Sequence, residues 1–393
     1  MSTFSGDEVS AVVLDIGSAW TRAGYAGEDA PKLVFPTSYG YLPEEETAAT
    51  DGDAVMTESS DATGGDVENF EPYYPRRRRR PKKHKGTYII GDAAVTAWRP
   101  HMEIKNPLVD GMIQDWDALE EIWDYIFWED QLDIDPKEHP LFVTESAWNS
   151  REARETLTEL AFEKYQTLAF YVAKNPVLSA FAAGRPTAIV LDCGASVTSC
   201  VPVVDGYVLK KGIYKQPIAG DFLSEQILQQ FQSSPEVEVI PHYLIAKKSF
   251  VDPDKPSNKR FNIPEILFNP QRFLAQSPEG VDMSSLLGIP EMIYHSINSC
   301  DIDVRPHLWN NIILTGGTTM LPGFPDRINN ELSMMMSGQM KIKIHAPGNT
   351  IERKCSSWLG GSILASLGTF HQLWISQKEY NDYGKSIVEK KCE

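Results

Sequence analysis

One short pattern of apolar, acidic and glycine residues occurs twice in the chain. Asp15-Ile16-Gly17-Ser18 follows one apolar run, and Asp192-Cys193-Gly194-Ala195 follows another 177 positions later. A strand that ends in Asp-x-Gly before a tight turn lets backbone N–H groups approach a phosphate, and its carboxylate can hold a metal ion through water. The repeat therefore predicts two related halves whose turns face each other and clamp a phosphate-bearing ligand.

The length and composition are typical of a soluble protein with two lobes. The 393 residues exceed the usual size of one hydrophobic core, and 42% of them are hydrophobic. No apolar stretch approaches the roughly 20 residues that cross a bilayer, and residues 1–10 lack the pattern of a secretory signal. Five scattered cysteines match neither a zinc site nor a disulfide framework, which favours a reducing compartment. We expect no membrane partner.

The charge is distributed unevenly along the chain. A net charge of −17 argues against a binder of duplex DNA, because phosphate neutralisation requires basic surface. Residues 43–71 are rich in carboxylates and poor in large apolar residues, which predicts a disordered loop within an insertion at about 41–86. This insertion ends in a basic run, for which we favour a nuclear import signal over a weak nucleic-acid patch or a solvated charged tail. The basic residues of the run are Arg76, Arg77, Arg78, Arg79, Arg80, Lys82, Lys83 and Lys85.

Alternating strand and helix patterns surround both copies of the motif, which indicates an α/β fold. Strands are predicted at 9–16, 20–26 and 139–145, and helices at 150–165, 175–183, 221–231 and 356–374. The segment 310–320 has the form of a buried strand that breaks at Gly316-Gly317, where a flat ligand could lie against the backbone. Small residues at 360–362 would allow close packing of the last long helix.

Over nearly its whole length the chain resembles the actin family. The phrases that carry the resemblance are Asp15-Ile16-Gly17-Ser18, Ala23-Gly24-Tyr25-Ala26-Gly27, Thr315-Gly316-Gly317-Thr318-Thr319-Met320 and Trp358-Leu359-Gly360-Gly361-Ser362. The resemblance implies the duplicated ribonuclease-H-like α/β fold of the actin, Hsp70 and sugar-kinase superfamily, with two lobes and four subdomains. The implied first lobe is 1–182, the second lobe is 183–354, and the C-terminal helices at 355–393 return to the first lobe.

The resemblance also implies ATP with Mg²⁺ in a cleft between the lobes. By motif matching, the phosphates would meet Gly17, Ser18, Arg22 and Gly194, the metal would lie near Asp15 and Asp192 through water, and the nucleoside would be lined by Gly316, Gly317, Thr318, Met320 and Lys354. The alternative, that these glycines only form turns, is less favoured because three motifs occur in register. The fourth subdomain, about 219–280, is shortened between 245 and 264, so we expect the wall that this subdomain contributes to the nucleotide site in the family to be missing.

The positions that serve ATP hydrolysis in the actin family are altered. The water-orienting glutamine aligns with Asn175, a cleft aspartate aligns with Ala195, and a cleft histidine aligns with Ser199. Hydrolysis requires a positioned water as well as a bound phosphate. We therefore expect ATP binding without significant turnover. The alternative is a slow ATPase of the same superfamily.

Within the family, the resemblance is to the nuclear branch that includes the Baf-subunit actin-like proteins. It implies a nuclear, non-polymerising subunit of chromatin-remodelling and histone-acetyltransferase complexes, because the charged insertion replaces a short filament contact. The implied partners are nuclear actin and a helicase-SANT-associated helix of a remodeller or acetyltransferase scaffold. Histones or nucleosomes are a further possible partner, and sequence-specific DNA binding and homopolymers are not expected. Residues that align with the helix-binding groove are Phe181, Tyr207, Leu364 and Leu367, and a core role is their alternative.

Overall fold

A computed structural model of the protein describes residues 10–43, 86–128, 130–233, 263–274, 278, 281–336 and 341–392. The basic run, most of the charged insertion and nearly all of the shortened stretch at 245–264 lie outside the described residues. The import signal and the disorder of the acidic loop therefore stay predictions.

In the described part of the chain, the strands form two six-stranded sheets and two small ones. In chain order they are β1 Val12–Ile16, β2 Trp20–Tyr25, β3 Leu33–Pro36, β4 Tyr39–Leu42, β5 Thr87–Ile89, β6 Glu103–Lys105, β7 Leu108–Val109, β8 Met112–Ile113, β9 Leu141–Glu145, β10 Ala169–Lys174, β11 Ala188–Cys193, β12 Thr198–Val204, β13 Tyr207–Val208, β14 Tyr214–Gln216, β15 Ile312–Thr315, β16 Ile344–His345 and β17 Ile375–Ser376. The first large sheet has the order β17-β10-β9-β1-β2-β3. The second has the order β13-β12-β11-β15-β16, with β14 also paired to β12.

The two large sheets repeat the same local arrangement. In the first, β1 pairs with β2 in antiparallel fashion and with β9 in parallel fashion. In the second, β11 pairs with antiparallel β12 and with parallel β15. The aspartates of the two motifs occupy equivalent places, since Asp15 is opposite Arg22 and Asp192 is opposite Ser199. The duplication predicted from the sequence is therefore confirmed, and with it the two-lobed α/β fold.

The helices cover the faces of these sheets. In chain order they are α1 Asp92–Thr96, α2 Trp116–Phe127, α3 Arg151–Glu159, α4 Asn175–Ala182, α5 Gly220–Ser233, α6 Pro270–Phe273, α7 Ile289–Asn298, α8 Arg305–Trp309, α9 Phe324–Met335, α10 Thr350–Lys354, α11 Ser356–Ser366, α12 Gln377–Tyr383 and α13 Val388–Lys391. None of the helices in the described part of the chain is long and apolar enough to span a bilayer.

Each large sheet has its own hydrophobic core, and the chain crosses back to the first core at its end. Buried Trp358, Phe370 and Trp374 from the C-terminal segment lie in the core of the first sheet. Helix α11 packs closely on α4, because a Cβ on Gly360 would overlap the carbonyl oxygen of Leu178. The close packing expected of the small residues at 360–362 is therefore observed.

Three elements differ from the sequence-based expectation. The helix predicted over 356–374 ends at Ser366, where Leu367 becomes extended and a 3-10 helix, Gly368–Gln372, follows. This change of direction lets Phe370 enter the first core. Strand β10 was not predicted, and the helix predicted over 150–165 ends in a π-helical turn at Leu160–Lys164.

Candidate functional site

Each of the two Asp-x-Gly turns is closed by an equivalent backbone hydrogen bond. The N–H of Gly17 donates to the carbonyl three residues later at 3.1 Å, and the N–H of Gly194 does the same at 3.2 Å. Within the described residues, the N–H groups of Ser18 and Ala195 donate to no acceptor. The donors available to phosphate oxygens are therefore those that follow each glycine, because the glycine N–H groups close the turns.

The first turn is held by two side chains that the sequence analysis did not identify. The hydroxyl of Thr37 donates to the carbonyl of Gly17 at 2.6 Å, and the amide of Asn106 donates to the carbonyl of Ser18 at 2.6 Å. Their separations along the chain follow no local pattern, so no sequence signal identifies them. They fix the first turn before any ligand binds.

The second turn is held by the start of α5 and by a predicted nucleoside residue. The carbonyl of Gly194 accepts from the N–H of Gly220 at 3.1 Å and from the hydroxyl of Thr318 at 2.8 Å. The carbonyl of Ala195 accepts from the N–H of Asp221 at 2.8 Å. The hydroxyl of Thr318 thus positions the phosphate turn.

The carboxylate of Asp15 is buried and fully engaged. Its side chain accepts from the hydroxyl of Thr144 at 2.7 Å, from the guanidinium of Arg22 at 2.8 Å and from the hydroxyl of Ser357 at 3.2 Å. Burial lowers the pKa of Arg22, but the charge of Asp15, its hydrogen bond and the neighbouring Cys355 together outweigh burial, and the net pKa is raised. The positive charge of Arg22 therefore neutralises the carboxylate of Asp15, and a bound phosphate would have to share Arg22 with that carboxylate.

Among the described residues, the equivalent carboxylate of Asp192 has no such partner. Within the described residues no salt bridge reaches it, because its cross-strand neighbour is Ser199 where the first sheet has Arg22. Burial raises the pKa of Asp192 to about 6, the nearby charge of Asp15 adds to the rise, and Arg22 opposes it. A divalent cation would offset the free-energy cost of keeping Asp192 ionised at this site. The predicted metal site therefore fits Asp192 better than Asp15, although no cluster of three metal-type ligands occurs in the described part of the chain.

A cavity of about 130 Å³ lies where the two turns face each other. The predicted site residues that line it are Asp15, Gly17, Ser18, Arg22, Asp192, Gly194, Gly316 and Lys354. Gly317, Thr318 and Met320 are not among the lining residues. Small-molecule sites usually measure at least about 300 Å³, so the cavity matches the phosphate end of a nucleotide, and the nucleoside of such a ligand would extend beyond it.

The three altered positions line the same cavity. Asn175 begins α4, and its Oδ1 is buried without a hydrogen-bond partner in the described residues. Ala195 has no polar side-chain atom, and Ser199 is buried on β12. No histidine is among the lining residues. The cavity therefore offers phosphate donors, but these three positions present a shorter amide, no carboxylate and no imidazole.

The four predicted groove residues lie on neighbouring elements, since α4 packs against both α11 and β13. Phe181 at the end of α4 is 38% exposed, Tyr207 on β13 is 60% exposed, and Leu367 after α11 is 39% exposed. Leu364 is partly buried and packs against the first core. Three of the four side chains thus form exposed apolar surface, and the fourth supports it.

Comparison with known proteins agrees with this architecture. The family model for Actin matches residues 6–259 and 255–393. The chain is 35% identical to actin-related protein 4 of Arabidopsis thaliana, over 99% of this chain and 100% of that protein. It is 35% identical to actin-related protein 4 of Oryza sativa subsp. indica with the same coverage, and 33% identical to that of Emericella nidulans over 99% of this chain and 98% of the relative.

The comparison also locates a discontinuity. The two matched parts meet at residues 255–259, inside the stretch 245–264 for which the sequence analysis predicts a shortened fourth subdomain. The alignment to the Arabidopsis protein spans 454 positions, more than the 393 residues of the chain, so the relative contains segments that this chain lacks. With the family match over nearly all of its length and full-length relatives that carry the name actin-related protein 4, the chain belongs to the actin family.

Proposed function

We propose that this protein is a nuclear, non-polymerising structural subunit of chromatin-remodelling and histone-acetyltransferase complexes, in which a bound nucleotide stabilises the fold and is not turned over. The observation that carries the proposal is the set of residues that line the cavity. It keeps the phosphate-facing N–H groups of Ser18 and Ala195, but Asn175, Ala195 and Ser199 stand where the family orients water.

Binding of ATP with Mg²⁺ is supported by the charge of the site. Asp192 is a half-buried carboxylate that lacks a protein cation in the described residues. Mg²⁺ would supply the charge that compensates both this carboxylate and the phosphates. Lys354 at the edge of the cavity adds a further cation for the ligand. A ligand that contacts both turns would hold the lobes together. Because such a ligand binds the folded protein and not the unfolded chain, it would stabilise the fold.

ATP hydrolysis is disfavoured because all three positions that serve it in the family are altered in this chain. Asn175 is one methylene shorter than glutamine and is followed by Pro176, and its amide oxygen has no hydrogen-bond partner in the described residues. Mispositioning of a catalytic group by about 1 Å can cost roughly 100-fold in rate. The alternative function, a slow ATPase of the superfamily, requires a group that orients the attacking water, and the cavity lining contains neither a glutamine nor a histidine for that role.

The partner proposal depends on the exposed apolar residues Phe181, Tyr207 and Leu367. An amphipathic helix binds such a surface through anchors spaced along one of its faces. The relatives are named as actin-related proteins, and we assign to this chain the pairing with nuclear actin on one helix of a motor or scaffold subunit.

A reconstitution with purified protein, actin and a helicase-SANT-associated helix tests this assignment. Tyr207→Asp places a charge where an apolar anchor should be buried, and we expect it to weaken helix binding at least about tenfold. The control is Tyr383→Asp on α12, because Tyr383 is also 60% exposed but is not one of the groove residues. Equal loss in both variants, or no loss in either, would overturn the groove assignment.

A further inference from the structure

A hairpin turn of the first lobe reaches the rim of the cavity. Strands β7 and β8 are joined by Asp110-Gly111, and both residues have positive φ, at 54° and 72°. The hydroxyl of Ser146 donates to the carbonyl of Gly111 at 2.5 Å, and the indole N–H of Trp148 donates to the carbonyl of Asp110 at 3.0 Å. Gly111 and Trp148 line the cavity. The turn is therefore a fixed part of the cavity wall.

One side chain of the second lobe closes onto this turn. Lys215 on β14 forms an ion pair with the carboxylate of Asp110. Its Nζ also lies 4.9 Å from the ring centroid of Trp148, which is a cation–π distance. Lys215 is the cross-strand neighbour of Ser199, so it projects from the strand beside the cavity. We call Asp110, Trp148 and Lys215 the inter-lobe clasp.

A second link between the lobes differs in chemistry. The hydroxyl oxygens of Ser18 and Ser196, one from each phosphate turn, lie 2.6 Å apart. This contact is neutral, whereas the inter-lobe clasp contains a charge pair. The side chains of Lys215 and Asp110 are 34% and 39% exposed, so salt screens their attraction. Ionic strength therefore acts on the clasp and leaves the serine contact unchanged.

We propose that the inter-lobe clasp holds the lobes closed beside the cavity and sets the rate at which nucleotide leaves, as a salt-sensitive latch on the cleft. The proposal rests on the proposed nucleotide binding for its effect on the ligand. The closure itself depends only on contacts between protein groups. Because an ion pair and a cation–π contact act together, their loss should accelerate release about fivefold to tenfold.

The test uses two conservative variants and their combination. Asp110→Asn keeps a residue that tolerates positive φ, and Lys215→Met keeps the apolar stem without the charge. Release of a fluorescent ATP analogue is followed after addition of excess ATP. Lys215→Met should release the analogue about fivefold to tenfold faster, and Asp110→Asn should act in the same direction but less strongly, because the cation–π contact with Trp148 remains. The double variant should be no faster than Lys215→Met, which already removes both contacts. Lys211→Met, which removes an exposed lysine just before β14, is the matched control.

A second readout does not require a ligand. Hydrogen exchange of the ligand-free full chain should be faster at the β7–β8 turn and at β14 in both single variants, and in the unaltered protein at 0.5 M salt. Unchanged exchange and unchanged release in the variants would overturn the latch. If the unaltered protein binds no nucleotide but its hydrogen exchange responds as expected, the proposed nucleotide function fails and the latch stands.

Discussion

Replacement of Gly316 by alanine is expected to lower the free energy of unfolding by about 3–5 kcal/mol. Gly316 follows β15 with φ 91° and ψ 147°, a conformation that residues with a side chain rarely adopt. A Cβ at this position would overlap the carbonyl oxygen of Cys193 and lie 2.5 Å from Oδ1 of Asp192. Both obstacles belong to the second phosphate turn, so the substitution must either strain the backbone or displace the motif aspartate.

The adjacent glycine provides the control. A Cβ on Gly317 meets no atom within 4 Å, so Gly317→Ala should change the free energy of unfolding by less than about 1 kcal/mol. Urea unfolding of the two variants side by side measures the difference. Similar losses in both would show that glycine at this turn is required for a reason other than the approach of Asp192 and Cys193.

The two motif aspartates are expected to respond to the same substitution with opposite signs. Asp15→Asn leaves Arg22 buried without its anion, and breaking such a pair costs about 3–5 kcal/mol. Asp192→Asn removes a carboxylate whose pKa burial raises to about 6. A shift of this size corresponds to roughly 3 kcal/mol, and access of water from the cleft reduces it. We therefore expect the ligand-free protein to gain about 1–2 kcal/mol at pH 7.

The pH dependence follows from the direction of the shift. Folded Asp192 holds its proton more tightly than the unfolded chain does, so its contribution to stability is present near pH 4 and lost as pH rises through about 6. The stability difference between Asp192→Asn and the unaltered protein should be small at pH 4 and reach its maximum above pH 6. A variant that is less stable than the unaltered protein at pH 7, without Mg²⁺ or nucleotide, would contradict this account of the site.

Much of the fold could be predicted from local patterns. The repeated Asp-x-Gly turns, the apolar strands around them and the Gly-Gly break after β15 are visible in short stretches of sequence, and each occurs in the structure. The early end of α11 at Ser366 could not be predicted, because an apolar pattern continues through Phe370 and only tertiary packing decides where the helix stops.

The site could be predicted only in part, for the same physical reason. Residues adjacent to the motif glycines were identified, whereas Thr37, Asn106 and Lys215 come from distant positions whose side chains give no local signal. The pairing of Arg22 with Asp15 depends on the register of β1 and β2. Since register is a property of the folded sheet, a single sequence shows the charge of Arg22 but not the group that it neutralises.

The central claim is that the cleft keeps a nucleotide and does not hydrolyse it. The most direct measurement is purification of the protein under native conditions, followed by acid extraction, chromatographic identification of the bound nucleotide and incubation over hours with labelled ATP. We predict retained ATP that stays unhydrolysed. Conversion to ADP with release of phosphate would contradict the claim and support the ATPase alternative, and an empty cleft would show that the phosphate turns no longer hold a ligand.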